Sequence, residues 1–175
     1  MLCTGAHRYV LAVGPIIVKV PRIRMLYFLR LVIEDDIIKY HKRFWCSWYW
    51  FATIVFAGLM ENLREAKCFI DTRHRLLTHL YLPLLFVNIY HRENGVGNFT
   101  FSGEELTERV YKTGNRDYFK ALLPCSHTFD HVENFAFSGG RVKILDYGEK
   151  GFKNLLVRYG DEVEKLLLSV VKQSA

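Results

Sequence analysis

The sequence predicts an α+β fold, a small antiparallel sheet packed with helices in one domain. Three observations predict it. The chain has 175 residues, the size of a single domain. Short runs rich in Val and Ile are split by turn residues, as in RYVLAV and IIVKV around Gly14-Pro15. Between such runs lie segments whose apolar residues recur at helical spacing. Hydrophobic residues make up 50% and charged residues 24%, which excludes an extended disordered chain. With 12 Gly and 4 Pro in no regular period, a collagen-like chain is excluded too.

Residues 8–20 read as two strands around the Gly14-Pro15 turn. Residues 22–43 read as a helix with a rough stripe of Leu26, Leu29, Ile33, Ile37 and Tyr40. Residues 44–60, FWCSWYWFATIVFAGLM, carry no charge. About 17 residues is the lower limit for a membrane span, and Trp45, Trp48 and Trp50 crowd the start as at a membrane interface. A buried core helix, a dimer contact or a helix lying on a membrane also accounts for the run. Residues 61–74 continue as a polar helix, and 76–91 read as a strand pair divided near Pro83. Residues 92–98 read as a turn.

Ser102 and Glu105 have capping-box spacing and predict a helix to about Lys112. Asn115 predicts a cap for RDYFKALL, which Pro124 ends. Residues 134–148 read as a hairpin around Ser138-Gly139-Gly140. The last segment reads as an amphipathic helix with Val163, Leu166, Leu167, Val170 and Val171 on one face. Asp161, Glu162 and Glu164 at its start and Lys172 at its end suit the helix dipole.

The net charge of +6 points to anionic or phosphate-bearing partners. The basic residues are scattered, with the densest group at Lys39, Lys42 and Arg43, so the pattern does not single out a nucleic-acid binder. Cys3, Cys46, Cys68 and Cys125 form no C-x-x-C pair, and no zinc site is expected. The start, MLCTGAHRYV, lacks the basic-then-apolar order of a secretory signal. The expected compartment is the cytoplasm, with residues 44–60 permitting membrane association. On that reading the formal sequon Asn98-Phe99-Thr100 is accidental.

The most informative stretch is HTFDHVENFAFSGGRVKILDYG, His127 to Gly148. It joins a polar loop, an Asn, a hairpin and Asp146-Tyr147-Gly148. This order resembles the catalytic region of protein-kinase-like phosphotransferases, a superfamily that includes small-molecule and lipopolysaccharide kinases. The resemblance implies a minimal kinase-like domain over residues 1–175. Residues 1–97 would form the N-lobe-like part, with a helical insertion at 22–60, and 98–175 a reduced C-lobe-like part. It implies ATP and Mg²⁺ as cofactors and a hydroxyl group as acceptor. Lys19 resembles the strand lysine on the nucleotide phosphates, and Glu65 the helix glutamate that pairs with it. Leu82 to His91 resembles the strand leading to the adenine-contacting hinge, near Arg92 to Gly97. Asn134 and Asp146 match the metal ligands, hard oxygen donors suited to Mg²⁺. Asp130 would orient the acceptor hydroxyl as catalytic base.

The chain departs from the family pattern in three places. With His127 and Asn134 aligned, the base position falls on Phe129, and Asp130 stands one residue later. No G-x-G-x-x-G exists, and only Gly5 precedes the first strand. About 27 residues follow Gly148, too few for a full C-terminal lobe. Two functions from different classes follow. One is ATP- and Mg²⁺-dependent phosphoryl transfer. The other is a pseudokinase, a binding or regulatory protein without turnover. A third reading is a small membrane-associated protein built around residues 44–60. If Lys19 and Glu65 share a site, a single membrane span between them is excluded. His127 and His131 read as structural hydrogen-bonders.

Overall fold

A computed structural model describes residues 2–4, 7–33, 48–96, 102–138 and 140–173. Gly5, residues 34–47, Gly97, the sequon at 98–100 and Gly139 lie outside the described residues. So do the Lys39-Lys42-Arg43 group and the expected stripe positions Ile37 and Tyr40.

The chain is α+β, as expected. Five strands, β1 (Leu2–Thr4), β2 (Arg8–Val13), β3 (Ile16–Pro21), β4 (Leu80–Pro83) and β5 (Asn88–His91), form one antiparallel sheet. Their order is β1-β2-β3-β5-β4. Gly14, at φ 54°, supplies the left-handed residue of the β2–β3 turn. In this hairpin Arg8 pairs with Pro21 and Val10 with Lys19. Opposed residues share a face and side chains alternate along a strand, so Arg8, Val10 and Lys19 emerge on one side of the sheet.

Helices α1 (Met25–Ile33), α2 (Trp48–Val55) and α3 (Ala57–Thr72) follow β3. The uncharged run is not one helix. At Phe56 the backbone leaves helical geometry (φ −107°, ψ 21°), and α3 starts inside the run and continues through the polar segment. Among the described residues no helix is long and apolar enough to cross a membrane. Where α3 meets the sheet, Gly58 allows close approach: a Cβ there would lie 2.2 Å from the His7 carbonyl oxygen.

Helices α4 (Gly103–Lys112) and α5 (Arg116–Leu122) start where their caps predict. Ser102 accepts a hydrogen bond from the Glu105 N–H at 3.1 Å, and Asn115 one from the Tyr118 N–H at 3.0 Å. The expected polar loop at 127–134 is instead a short helix, α6 (Ser126–Asp130), and a 3₁₀ turn, Val132–Asn134. The helix forms because one side of it is apolar, with Phe129 buried in the core. The hairpin β6 (Phe135–Ser138) and β7 (Arg141–Ile144) follows as expected. It is tied to the chain before β4 by Ile144 N–H to Leu76 O at 2.7 Å and Thr78 N–H to Ile144 O at 3.1 Å. The closing helix α7 (Phe152–Gln173) starts earlier than its charge pattern predicts and is kinked at Tyr159.

One apolar core joins these elements. It includes Tyr90, Leu106, Phe129, Phe135, Tyr147, Phe152 and Leu167. Cys68 and Cys125 are buried free thiols in it. Burial pushes each thiol from 9.0 up to about 12. Burial likewise pushes the phenols of Tyr90, Tyr118 and Tyr147 up.

Two outcomes follow from this packing. Gly58→Ala forces a methyl group against backbone and is expected to cost about 1–3 kcal/mol. It should read as a lower urea midpoint with an unchanged slope. The raised thiol and phenol values mean that the folded chain keeps protons that the unfolded chain releases. Stability is therefore full below pH 9 and is expected to fall as pH rises from there toward 12, in denaturation curves taken across that window.

Candidate functional site

On α3, Glu61 and Glu65 are four residues apart and so share a helix face. That face lies against the side of the sheet from which Arg8 and Lys19 emerge. Glu65 is 0% exposed, Arg8 5% and Lys19 7%. A buried carboxylate needs partners, and Glu65 has several. Lys19 Nζ donates to its Oε1 at 2.8 Å. Arg8 Nη1 lies 2.7 Å from its Oε2, to which the Tyr90 hydroxyl also donates. The Tyr147 N–H reaches Oε1 at 3.4 Å. Tyr90 remains a neutral donor because burial and the Glu65 charge both push its phenol up.

The chain just after β7 closes the site. Lys19 Nζ also donates to the Leu145 carbonyl at 2.8 Å. The next residue, Asp146, receives the Arg8 guanidinium on both carboxylate oxygens, with Nη2 at 2.8 and 2.7 Å. Burial would raise the Asp146 carboxyl, but Lys19 and Arg8 outweigh it and hold the group well below the usual carboxylate range. Its side chain is 41% exposed, so it faces the open side of the cluster. Burial would also favour a neutral Arg8, yet Glu65, Asp146 and Glu61 keep it charged. Arg8 Nε lies 3.2 Å from Glu61 Oε2, and His7 contacts the other Glu61 oxygen.

A cleft of about 600 Å³ opens over this cluster, with Arg8, Lys19, Asn134 and Asp146 in its walls. Asn134 is placed by its own backbone and side chain. Its carbonyl accepts the Leu145 N–H at 2.7 Å, and its amide nitrogen donates to the Thr128 carbonyl at 3.1 Å. His127, His131 and Glu149 also line the cleft. Glu149 is held by the Thr128 N–H at 3.0 Å and the Thr128 hydroxyl at 2.9 Å.

Four of the five residues singled out from sequence therefore meet: Lys19, Asn134 and Asp146 line the cleft, and Glu65 lies beneath it. Asp130 does not join them. It lines a separate depression with Gly103 and Thr107, and a Cβ on Gly103 would lie 1.9 Å from its Oδ1. The cause is the helical turn at α6. Phe129 points into the core, with ring centroids 5.7 Å from Phe135 and 6.1 Å from Phe152, and the next residue is carried round to the outside. The two residues expected to hold Mg²⁺, Asn134 and Asp146, share the cleft wall. Both oxygens of Asp146 accept from Arg8, and among the described residues no three His, Cys, Asp or Glu side chains are grouped to hold a metal ion.

Set against models of known families, curated proteins and solved structures, the chain matches none.

Sequence reasoning missed Arg8 and Glu61. A signal existed for each. The i, i+4 spacing of Glu61 and Glu65 puts two carboxylates on one helix face. The register of a short Gly-Pro hairpin puts Arg8 on the face of Lys19.

Glu65→Ala leaves two buried cations without their shared partner. We expect a loss of about 3–5 kcal/mol, read from chemical denaturation. Glu65→Gln, which keeps the hydrogen-bonding shape, should cost less.

Proposed function

We propose that this protein is a kinase-like nucleotide-binding protein that works by binding rather than by phosphoryl transfer. The observation that carries the reading is the buried Lys19–Glu65 pair, 2.8 Å apart, at the base of a cleft that also holds Asp146. An ammonium group has three donors, and Glu65 and the Leu145 carbonyl take two. Lys19 also lines the cleft, and a nucleotide phosphate is the ligand that the resemblance suggests. Glu65 fixes the lysine so that little side-chain entropy is lost on binding.

The preference for binding over turnover rests on the acid that the resemblance implies as base. Transfer to a hydroxyl needs a group within hydrogen-bond reach of its proton. Asp130 lies in a different depression, and Phe129 is buried. ATP- and Mg²⁺-dependent transfer to a hydroxyl acceptor is the second reading. It is favoured by one observation, that Asn134 and Asp146 share the cleft wall.

Titration with ATP, followed by calorimetry, tests the proposal. Wild-type protein should bind, and Lys19→Met should bind at least about tenfold more weakly. No binding at millimolar ATP would sink it. Sustained ADP production by the wild type would select the second reading.

A further inference from the structure

Two cations, Arg8 and Lys19, meet three carboxylates, Glu61, Glu65 and Asp146. Without Arg8, one lysine would face all three, a hard anionic set of the kind that draws a divalent cation. Arg8 fills that need from within the chain. Its three nitrogens reach three different acids: Nε lies 3.2 Å from Glu61, Nη1 2.7 Å from Glu65 and Nη2 2.7 Å from Asp146. Nη2 hydrogen-bonds to both Asp146 oxygens, the other two contacts are ionic, and the always-charged guanidinium spans all three acids. At 5% exposure the side chain is part of the core of the site. A metal at Asp146 would meet the Arg8 guanidinium, which holds both carboxylate oxygens by short charge-assisted bonds.

Building on the nucleotide-binding reading above, we propose that Arg8 is a built-in cation that replaces the divalent ion, so that this cleft takes the phosphates of a nucleoside triphosphate without metal. The guanidinium takes the place beside Asp146 that a bound ion would take, and Lys19 lines the cleft where the phosphates would lie. Asp146 then serves to orient Arg8 and is not a metal ligand. Each Asp146 oxygen carries one Arg8 hydrogen bond, so a metal ion there would sit beside a fixed positive charge.

The experiment has two arms. In the first, ATP is titrated into wild-type protein with EDTA and then with Mg²⁺. We expect dissociation constants that agree within about threefold. Binding seen only with Mg²⁺ would overturn the inference and leave the nucleotide-binding reading standing. No binding in either buffer would overturn both. In the second arm, Mn²⁺ without nucleotide is followed by electron paramagnetic resonance. Wild-type protein should leave the ion free, and Arg8→Gln should bind it at least about tenfold more tightly. Arg8→Lys, which keeps a charge in place, should leave it free as wild type does. Tight Mn²⁺ binding by the wild type that is lost in Asp146→Asn would overturn the inference. If Arg8→Gln fails to fold, as circular dichroism would show, the wild-type titrations still decide it.

Discussion

One carboxylate organises this molecule. Glu65 is fully buried, and an ion of that kind costs several kcal/mol to desolvate unless charge and hydrogen bonds replace the lost water. Its replacements come from β2, β3, β5 and the segment after β7: Arg8, Lys19, the Tyr90 hydroxyl and the Tyr147 N–H. The sheet, α3 and the second hairpin are thereby held to one point. The arrangement also stiffens what it joins. A cation in this cluster cannot swing away without leaving a buried charge unpaired, so the groups facing the cleft are set before any ligand arrives.

The balance of charge decides the chemistry open to the cleft. Lys19 alone could not neutralise Glu61, Glu65 and Asp146, and Arg8 shares that task. The effect is local. Arg8 and Lys19 hold Asp146 ionised far below its ordinary range, and the Arg8 contact engages both of its oxygens. Asp130 obeys a different constraint. The buried contact of Phe129 with Phe135 and Phe152 orients α6, and a one-residue step along a helix turns a side chain by about 100°. The acid next to Phe129 therefore faces Gly103 and not the cleft.

Much of this was legible in the sequence where the signal is local. The two hairpins at Gly14-Pro15 and Gly140, the Ser102 and Asn115 caps and the amphipathic face of α7 depend on neighbours a few residues away. The pairing of Lys19 with Glu65 was legible for another reason: the order of motifs along the chain resembled a known one. The break at Phe56 was not legible. The composition around it is uniformly apolar, and the break lies next to Gly58, where α3 comes close to the His7 backbone. The helicity of 126–130 was masked by polar residues whose one apolar neighbour, Phe129, decides the turn.

The sequence by itself determined the α+β class, the positions of the caps and of every strand but β1, and the candidates Lys19, Glu65, Asn134 and Asp146. Only the tertiary structure decided which charges meet. It brought Arg8 across 138 residues to Asp146 and carried Asp130 away from the cleft. The physical reason is that propensity and periodicity act over a few residues. An ion pair in low dielectric depends on where separate elements dock, and that is set by how the whole core packs.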